Sequence, residues 1–208
     1  MPRHDDTGSV IAIVPVSSLD GAKSRLGAVL DAEERRDLVA SLVRTTIHAV
    51  VSTPGIAETL VITPDDDVRS MALDAGARPI RQRTRGLNDG LREARNEALA
   101  AGATSVLIVP IDLPRISPDA LGAVLEAAAS EATPLVVLVA DRHGRGTNAL
   151  LLAPPDVIDP AFGGDSRAAH VAAAAAAGAS LIEMHGPLQD DLDTPDDLLL
   201  AQTAGHLG

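Results

Sequence analysis

Apolar residues along this chain fall into short unbroken runs, and between the runs they recur at helical spacing. SVIAIVPV (residues 9–16) is β-branched with no polar alternation, the pattern of a strand buried on both faces. A helical pattern follows from residue 31 to about residue 52, with Asp31 as its N-cap. TLVITP, from Thr59, predicts a second strand, and Pro64 and Asp65 open a short helix to about Ala75. ARPIRQ predicts a third strand, LNDGLREARNEALAAG a helix ended by Gly102, and SVLIVPI, from Ser105, a fourth strand. Ser117 and Pro118 then suit the N-cap and first position of another helix.

LVVLVAD (135–141) and NALLLAP (148–154) are separated only by RHGRGT. So short a connection suggests local antiparallel pairing, or at least no helical crossover. A loop with FGGDS, an Ala-rich helix, the strand SLIEMH and a last helix after DLDTPDD complete the chain. Strand and helix alternate throughout, so the expected fold class is α/β, a mostly parallel sheet with helices on both faces, in a single domain spanning residues 1–208. Ligands of such sheets bind beyond the carboxyl ends of the strands, which directs the search for chemistry to the loops that follow strands.

Composition narrows the classes of function. Cysteine is absent, which excludes disulfides, thiolate catalysis and cysteine-ligated zinc and fits a reducing cytosol. The first ten residues lack the apolar core of a signal peptide, and no apolar run reaches the ~18 residues of a membrane span. A cytoplasmic protein with no membrane partner is expected. The net charge of −12 argues against a nucleic-acid partner, and with Phe162 as the sole aromatic there is no stacking platform for single strands. Small phosphorylated molecules stay open as ligands, given a metal ion and a few local cations.

Lys23, the only lysine of the chain, lies in the loop after the first strand, SSLDGAKSRLG, with Arg25 beside it. The loop is placed to hold phosphate through backbone amides and these two charges; alternatively Lys23 is a surface charge. No dinucleotide glycine fingerprint or Walker pattern is present. Asp112, in VPIDLP, is held between prolines at a strand end, where it suits either a divalent ion or a turn. In LQDDLDTPDD an extended backbone would put Asp191 and Asp193 on one face, an arrangement that repels unless a cation intervenes; Asp193 could instead cap the last helix. Asp65, Asp66 and Asp67 are assigned to helix capping. Gly163 and Ser166 of FGGDS permit close backbone approach and an anion contact at a helix start, though Gly-Gly-Asp-Ser also describes many turns. Phe162 is expected to anchor that loop, and Thr147 adds a hydroxyl within reach of the same pocket. Arg78, Arg81, Arg83 and Arg85 lead into Asn88 and Asp89, a nucleotide-recognition region or a solvated edge strand. The six histidines show no ligand spacing and receive no chemistry.

Taken in order, VPVSSLDGAKSRL, VPIDLP, GTNALL, FGGDS and DLDTPDDL resemble the guanylyltransferases of deazaflavin coenzyme (factor 420) biosynthesis, over almost the whole chain. That family joins GMP from GTP to phosphoenolpyruvate or 2-phospho-L-lactate. The resemblance implies the nucleotidyltransferase fold, glycosyltransferase A-like and Rossmann-like. Relative to the molybdenum-cofactor guanylyltransferases, SSLDGAKSRL replaces a glycine-rich first loop. The resemblance further implies Mg²⁺ at Asp112, Asp191 and Asp193, the phosphorylated three-carbon acid at Thr147, Gly163 and Ser166, and nucleotide at Lys23, Arg25, Asn88 and Asp89. The expected acceptor is phosphoenolpyruvate, with 2-phospho-L-lactate and 3-phosphoglycerate as alternatives, in a monomer or homodimer. Another nucleotidyltransferase of the same fold and a non-catalytic nucleotide-binding regulator are the competing readings; an oxidoreductase is disfavoured by the missing glycine fingerprint.

Overall fold

Residues 9–20 and 23–205 are described by the computed structural model. Residues 1–8, most of the N-terminal stretch that lacks a signal-peptide core, lie outside the described residues together with Gly21 and Ala22 of the first loop. The apolar runs become strands of one mixed sheet, in the order β3–β2–β1–β4–β6–β5–β7. Strands β1 (Val10–Pro15), β2 (Ile56–Thr63), β3 (Arg78–Arg81) and β4 (Ser105–Ile108) pair in parallel. Beyond them, β6 (Thr147–Ala153) inserts antiparallel between β4 and β5 (Leu135–Ala140), and β7 (Ser180–Met184) pairs in parallel with β5. The short loop between β5 and β6 therefore makes the expected hairpin, and only β6 opposes the common direction.

That reversal matters for the site. Register pairs Ile108 with Leu150, so the start of β6, at Thr147, projects past the end of β4 toward Asp112. Two strands differ from the sequence reading by more than one residue at a limit. Strand β2 begins at Ile56, because Ile56 and Glu58 pair with Val10 and Ile11 and carry the ladder three residues upstream of the apolar run. Strand β4 stops at Ile108, since Pro110 has no amide to continue the ladder.

The helices are α1 (Ala32–Val51), α2 (Asp66–Asp74), α3 (Leu87–Ala100), α4 (Pro118–Ala129), α5 (Ser166–Ala176) and α6 (Pro195–Thr203). Side-chain caps start most of them: Asp31 with Glu34 in a capping box, Asp65, Ser117, and Thr194 with Asp197. Strand residues alternate between two cores. On one face α1, α2 and α4 bury Val43, Ile47, Val68 and Leu121 against Val14, Val61 and Leu107. On the other, α3 and α5 bury Leu91, Ala94 and Ala174 against Ile13, Ile62 and Ile108. Each fully buried Leu or Ile contributes about 1.5–3 kcal/mol by leaving water. A third, small cluster of Leu26, Leu192, Leu198 and Ala201 joins the first loop to the tail of the chain. No helix among the described residues is long and apolar enough to cross a membrane.

Candidate active site

Three segments far apart in sequence meet at the carboxyl end of the sheet. The first is the loop after β1. Asp65, already capping α2 through the Asp67 amide at 2.9 Å, also accepts from the Leu19 amide at 3.1 Å and the Ser18 hydroxyl at 3.2 Å. Burial works against its charge, but these donors prevail and hold its carboxyl below the usual range. Farther along, Lys23 has φ 57° and ψ 37°, the sole positive φ at a non-glycine among the described residues. A left-handed L-residue costs about 1–2 kcal/mol, and the surroundings must hold it there. Leu26, wholly buried in the small cluster, supplies that hold, and its amide donates to the Lys23 carbonyl at 2.9 Å. The Lys23 side chain is consequently turned inward, with 8% of it exposed.

The second and third segments carry the carboxylates. The Leu192 amide donates to the Asp112 carbonyl at 2.9 Å, strapping the tail to the loop after β4. Asp193 does not cap α6: Thr194 does so, and the Asp197 carboxylate accepts from the amides of Asp193 and Thr194 at 3.0 and 2.7 Å. The Asp193 side chain is thereby released toward the cleft. The Lys23 Nζ donates to Asp112 Oδ2 at 3.0 Å and Asp193 Oδ1 at 2.8 Å, and Arg25 reaches Asp193 Oδ2 at 3.4 Å. Burial opposes the Lys23 charge, yet the Asp112 and Asp193 carboxylates overcome it and hold its pKa above the usual lysine value. Asp191 is pushed up by burial first, then by the charges of Asp112 and Asp193.

Among the described residues no three acidic or histidine side chains form a ready-made metal centre. The donor set nevertheless suits a hard cation: the Lys23 ammonium bridges carboxylate oxygens from two segments, and Asp191 adds a third carboxylate that feels both.

Lys23, Arg25, Asp112 and Asp193 line a cleft of about 690 Å³, with Phe162 and the 82–87 turn also on its wall. Gln82 and Thr84 of that turn were not singled out from sequence. The Gln82 amide donates to the carbonyls of Thr84 and Gly86 at 3.1 and 2.9 Å, and Glu93 accepts from the Thr84 amide at 2.6 Å. Gly90 of α3 allows this: a Cβ there would sit 2.7 Å from the Gln82 amide carbon. Of the four arginines leading in, Arg85 is on the wall, while Arg78 pairs with Glu58 and Arg81 with Asp66.

Asn88 and Asp89 are not brought to the wall. Asn88 exchanges two hydrogen bonds with the Phe162 backbone, at 3.0 and 2.8 Å, and Asp89 is exposed and paired with Arg92. Thr147 and Ser166 are buried beside the Phe162 loop and do not line the cleft, and the Ser166 amide donates to the Gly163 carbonyl at 3.2 Å. Phe162 packs into the second core, which makes it the loop anchor expected of it. His170, given no chemistry from sequence, is wholly buried and hydrogen-bonded to Thr147.

Among solved structures, a nucleotide-diphospho-sugar transferase, described as putative, from Desulfovibrio desulfuricans superposes with a TM-score of 0.73 at 16% identity, over 91% of this chain and 84% of that one. A 4-diphosphocytidyl-2C-methyl-D-erythritol synthase from Anaerococcus prevotii gives 0.63 at 11% identity, over 96% of each chain. Glucosyl-3-phosphoglycerate synthase from Mycobacterium tuberculosis, solved with Mn²⁺, gives 0.60 at 12%, over 95% and 76%. The fold is that of the nucleotidyltransferases and their glycosyltransferase A-like relatives.

Sequence comparison is more specific. Residues 10–203 match the family described as "Guanylyl transferase CofC like". Proteins named phosphoenolpyruvate guanylyltransferase from Sphaerobacter thermophilus and Rubrobacter xylanophilus are 43% and 41% identical, each over 95% of this chain and 94% and 95% of their own. The chain belongs to the CofC-like guanylyl transferase family.

Proposed function

We propose that this protein transfers GMP from GTP to phosphoenolpyruvate and releases pyrophosphate, in the cytoplasm, as a step of factor 420 biosynthesis. The observation that carries the reading is the meeting of Lys23 with Asp112 and Asp193 in one cleft. It occurs in a chain whose relatives bear the name phosphoenolpyruvate guanylyltransferase.

The acid's phosphate is ionised near neutral pH, so no base is required to make the nucleophile. One of its oxygens attacks the α-phosphorus of GTP in line; the bond from that phosphorus to the bridging oxygen breaks, and pyrophosphate departs with the electron pair. The residues present fit such a reaction, since the cleft offers positioning and charge rather than a nucleophilic side chain. Lys23 follows the β- and γ-phosphates as they separate, and Arg25 adds charge at the cleft mouth. Asp112, Asp191 and Asp193 would hold Mg²⁺, which when bound neutralises phosphate charge and draws two anions together. The 82–87 turn, held rigid by Gln82 and Glu93, supplies a wall for the nucleoside. The acid is assigned to the side of the cleft walled by Phe162, with Thr147, Gly163 and Ser166 adjoining that wall rather than forming it.

One assay tests the reading: GTP and Mg²⁺ with phosphoenolpyruvate, 2-phospho-L-lactate or 3-phosphoglycerate in separate reactions, recording pyrophosphate and product mass. Enolpyruvyl-diphospho-guanosine from the first reaction is the expected result. Pyrophosphate release with a different acid alone would replace the acceptor, and nucleotide binding without pyrophosphate would leave a regulator.

A further inference from the structure

His170 lies outside the chemistry assigned so far, yet its two ring nitrogens connect two parts of the acid side. Its Nδ1 lies 3.0 Å from Thr147 Oγ1. Its Nε2 lies 2.9 Å from the Ala161 amide nitrogen. A backbone amide can only donate, so Nε2 must carry the lone pair. A neutral imidazole with a bare Nε2 carries its proton on Nδ1, and that proton points at Thr147. Thr147 Oγ1 is therefore the acceptor of the pair, and its own hydroxyl hydrogen is left for another partner. The neighbouring contacts make the arrangement rigid. The Phe162 ring meets the imidazole edge-on, with centroids 5.2 Å apart and planes at 70°. Asn88 grips both backbone polar groups of Phe162, a residue of the cleft wall. Because β6 runs opposite to its neighbours, Thr147 stands past the end of β4 on the side of Asp112.

We propose that His170 is a positioning residue for acid binding: as a neutral imidazole protonated on Nδ1 it fixes the Thr147 hydroxyl as a donor toward the acid and ties it to the Ala161–Phe162 segment of the cleft wall. The inference rests on the reading of Thr147 as part of the acid subsite. Burial supports it, because it depresses the His170 pKa to about 4 and keeps the ring neutral at working pH. The hydrogen-bond geometry carries the assignment independently of that value.

Two substitutions separate the ring nitrogens. The amide of His170→Asn reaches the Nδ1 position and can still donate to Thr147; that of His170→Gln reaches the Nε2 position and can serve only Ala161. Removal of one neutral hydrogen bond corresponds to a change of about tenfold at most. The expected result is that His170→Gln raises KM for the acid about tenfold, His170→Asn recovers most of it, and KM for GTP stays within about twofold in both. Thr147→Val, isosteric and lacking the hydroxyl altogether, should raise KM for the acid at least as much as His170→Gln. Equal effects of Asn and Gln, or equal movement of both KM values, would overturn the proposal in favour of a purely structural histidine. NMR of the protein with isotope-labelled histidine reads the tautomer without reference to activity. A proton on Nδ1 and a bare Nε2 are expected, and the reverse tautomer would overturn the proposal even if every variant fails to fold. If the wild-type protein shows the expected tautomer but makes no product with any acid, the functional reading fails and the imidazole geometry stands.

Discussion

Replacing Lys23 by Met keeps the length of the side chain and the strain of its left-handed backbone while removing the ammonium. Two carboxylate oxygens, each within 3.0 Å of the same nitrogen, would then face one another. They lie at most about 6 Å apart, so at an effective dielectric of 20 their repulsion is at least about 3 kcal/mol. Asp112 and Asp193 keep 29% and 40% of their side chains exposed, and solvent screening lowers the net destabilisation to roughly 1–2 kcal/mol. For a chain of this size that is a fall in Tm of about 2–8 °C. With no Trp or Tyr to report unfolding, far-UV circular dichroism in EDTA is the appropriate assay. Adding Mg²⁺ should then stabilise Lys23→Met more than wild type, since the ammonium no longer competes for the carboxylates and ligand binding adds to stability by mass action. An unchanged Tm in EDTA, or an equal Mg²⁺ response in both proteins, would refute the idea that Lys23 occupies a cation's place.

Asp193→Asn should lose most turnover with the fold intact, because Thr194 and Asp197 cap α6 without the Asp193 side chain; retained activity with unchanged Mg²⁺ dependence would remove Asp193 from the mechanism. Asp65→Ala should cost about 1 kcal/mol as a lost helix cap and also raise KM for GTP, since Asp65 holds Leu19 and Ser18 of the first loop; steady-state kinetics alongside a urea melt separates the two effects. His170 is neutral in the folded protein down to about pH 4, whereas the unfolded chain takes up its proton near 6.5. Stability should therefore fall as the pH drops from 6.5 toward 4, by up to roughly 3 kcal/mol at about 1.4 kcal/mol per pH unit, and urea titrations of wild type against His170→Gln measure that slope.

The cleft's charged partners differ in how far local sequence could reveal them. Asp31, Ser117 and Asp65 announce helix starts because a cap is made within four residues. The same local logic offered Asp193 as a cap, and it was the wrong neighbour: Thr194 took the position, a difference that depends on the chain's path into α6. Lys23 and Arg25 drew notice through rarity and position, but the left-handed turn that aims Lys23 inward depends on Leu26 packing against Leu192 and Leu198. Gln82 and Thr84 carry no signal beyond their place in a polar loop. Their role comes from Gly90 and Glu93 on a different element.

Strand, helix and loop order, the β5–β6 hairpin and the burial of both sheet faces were determined by the sequence alone, because period, caps and connection length are properties of neighbouring residues. Tertiary structure decided the convergence of Lys23, Asp112 and Asp193, the removal of Asn88 to a clamp on Phe162, and the tautomer of His170. The physical reason is range: each of these contacts joins side chains brought together by sheet order and register, and no local pattern encodes the distance between elements far apart in the chain.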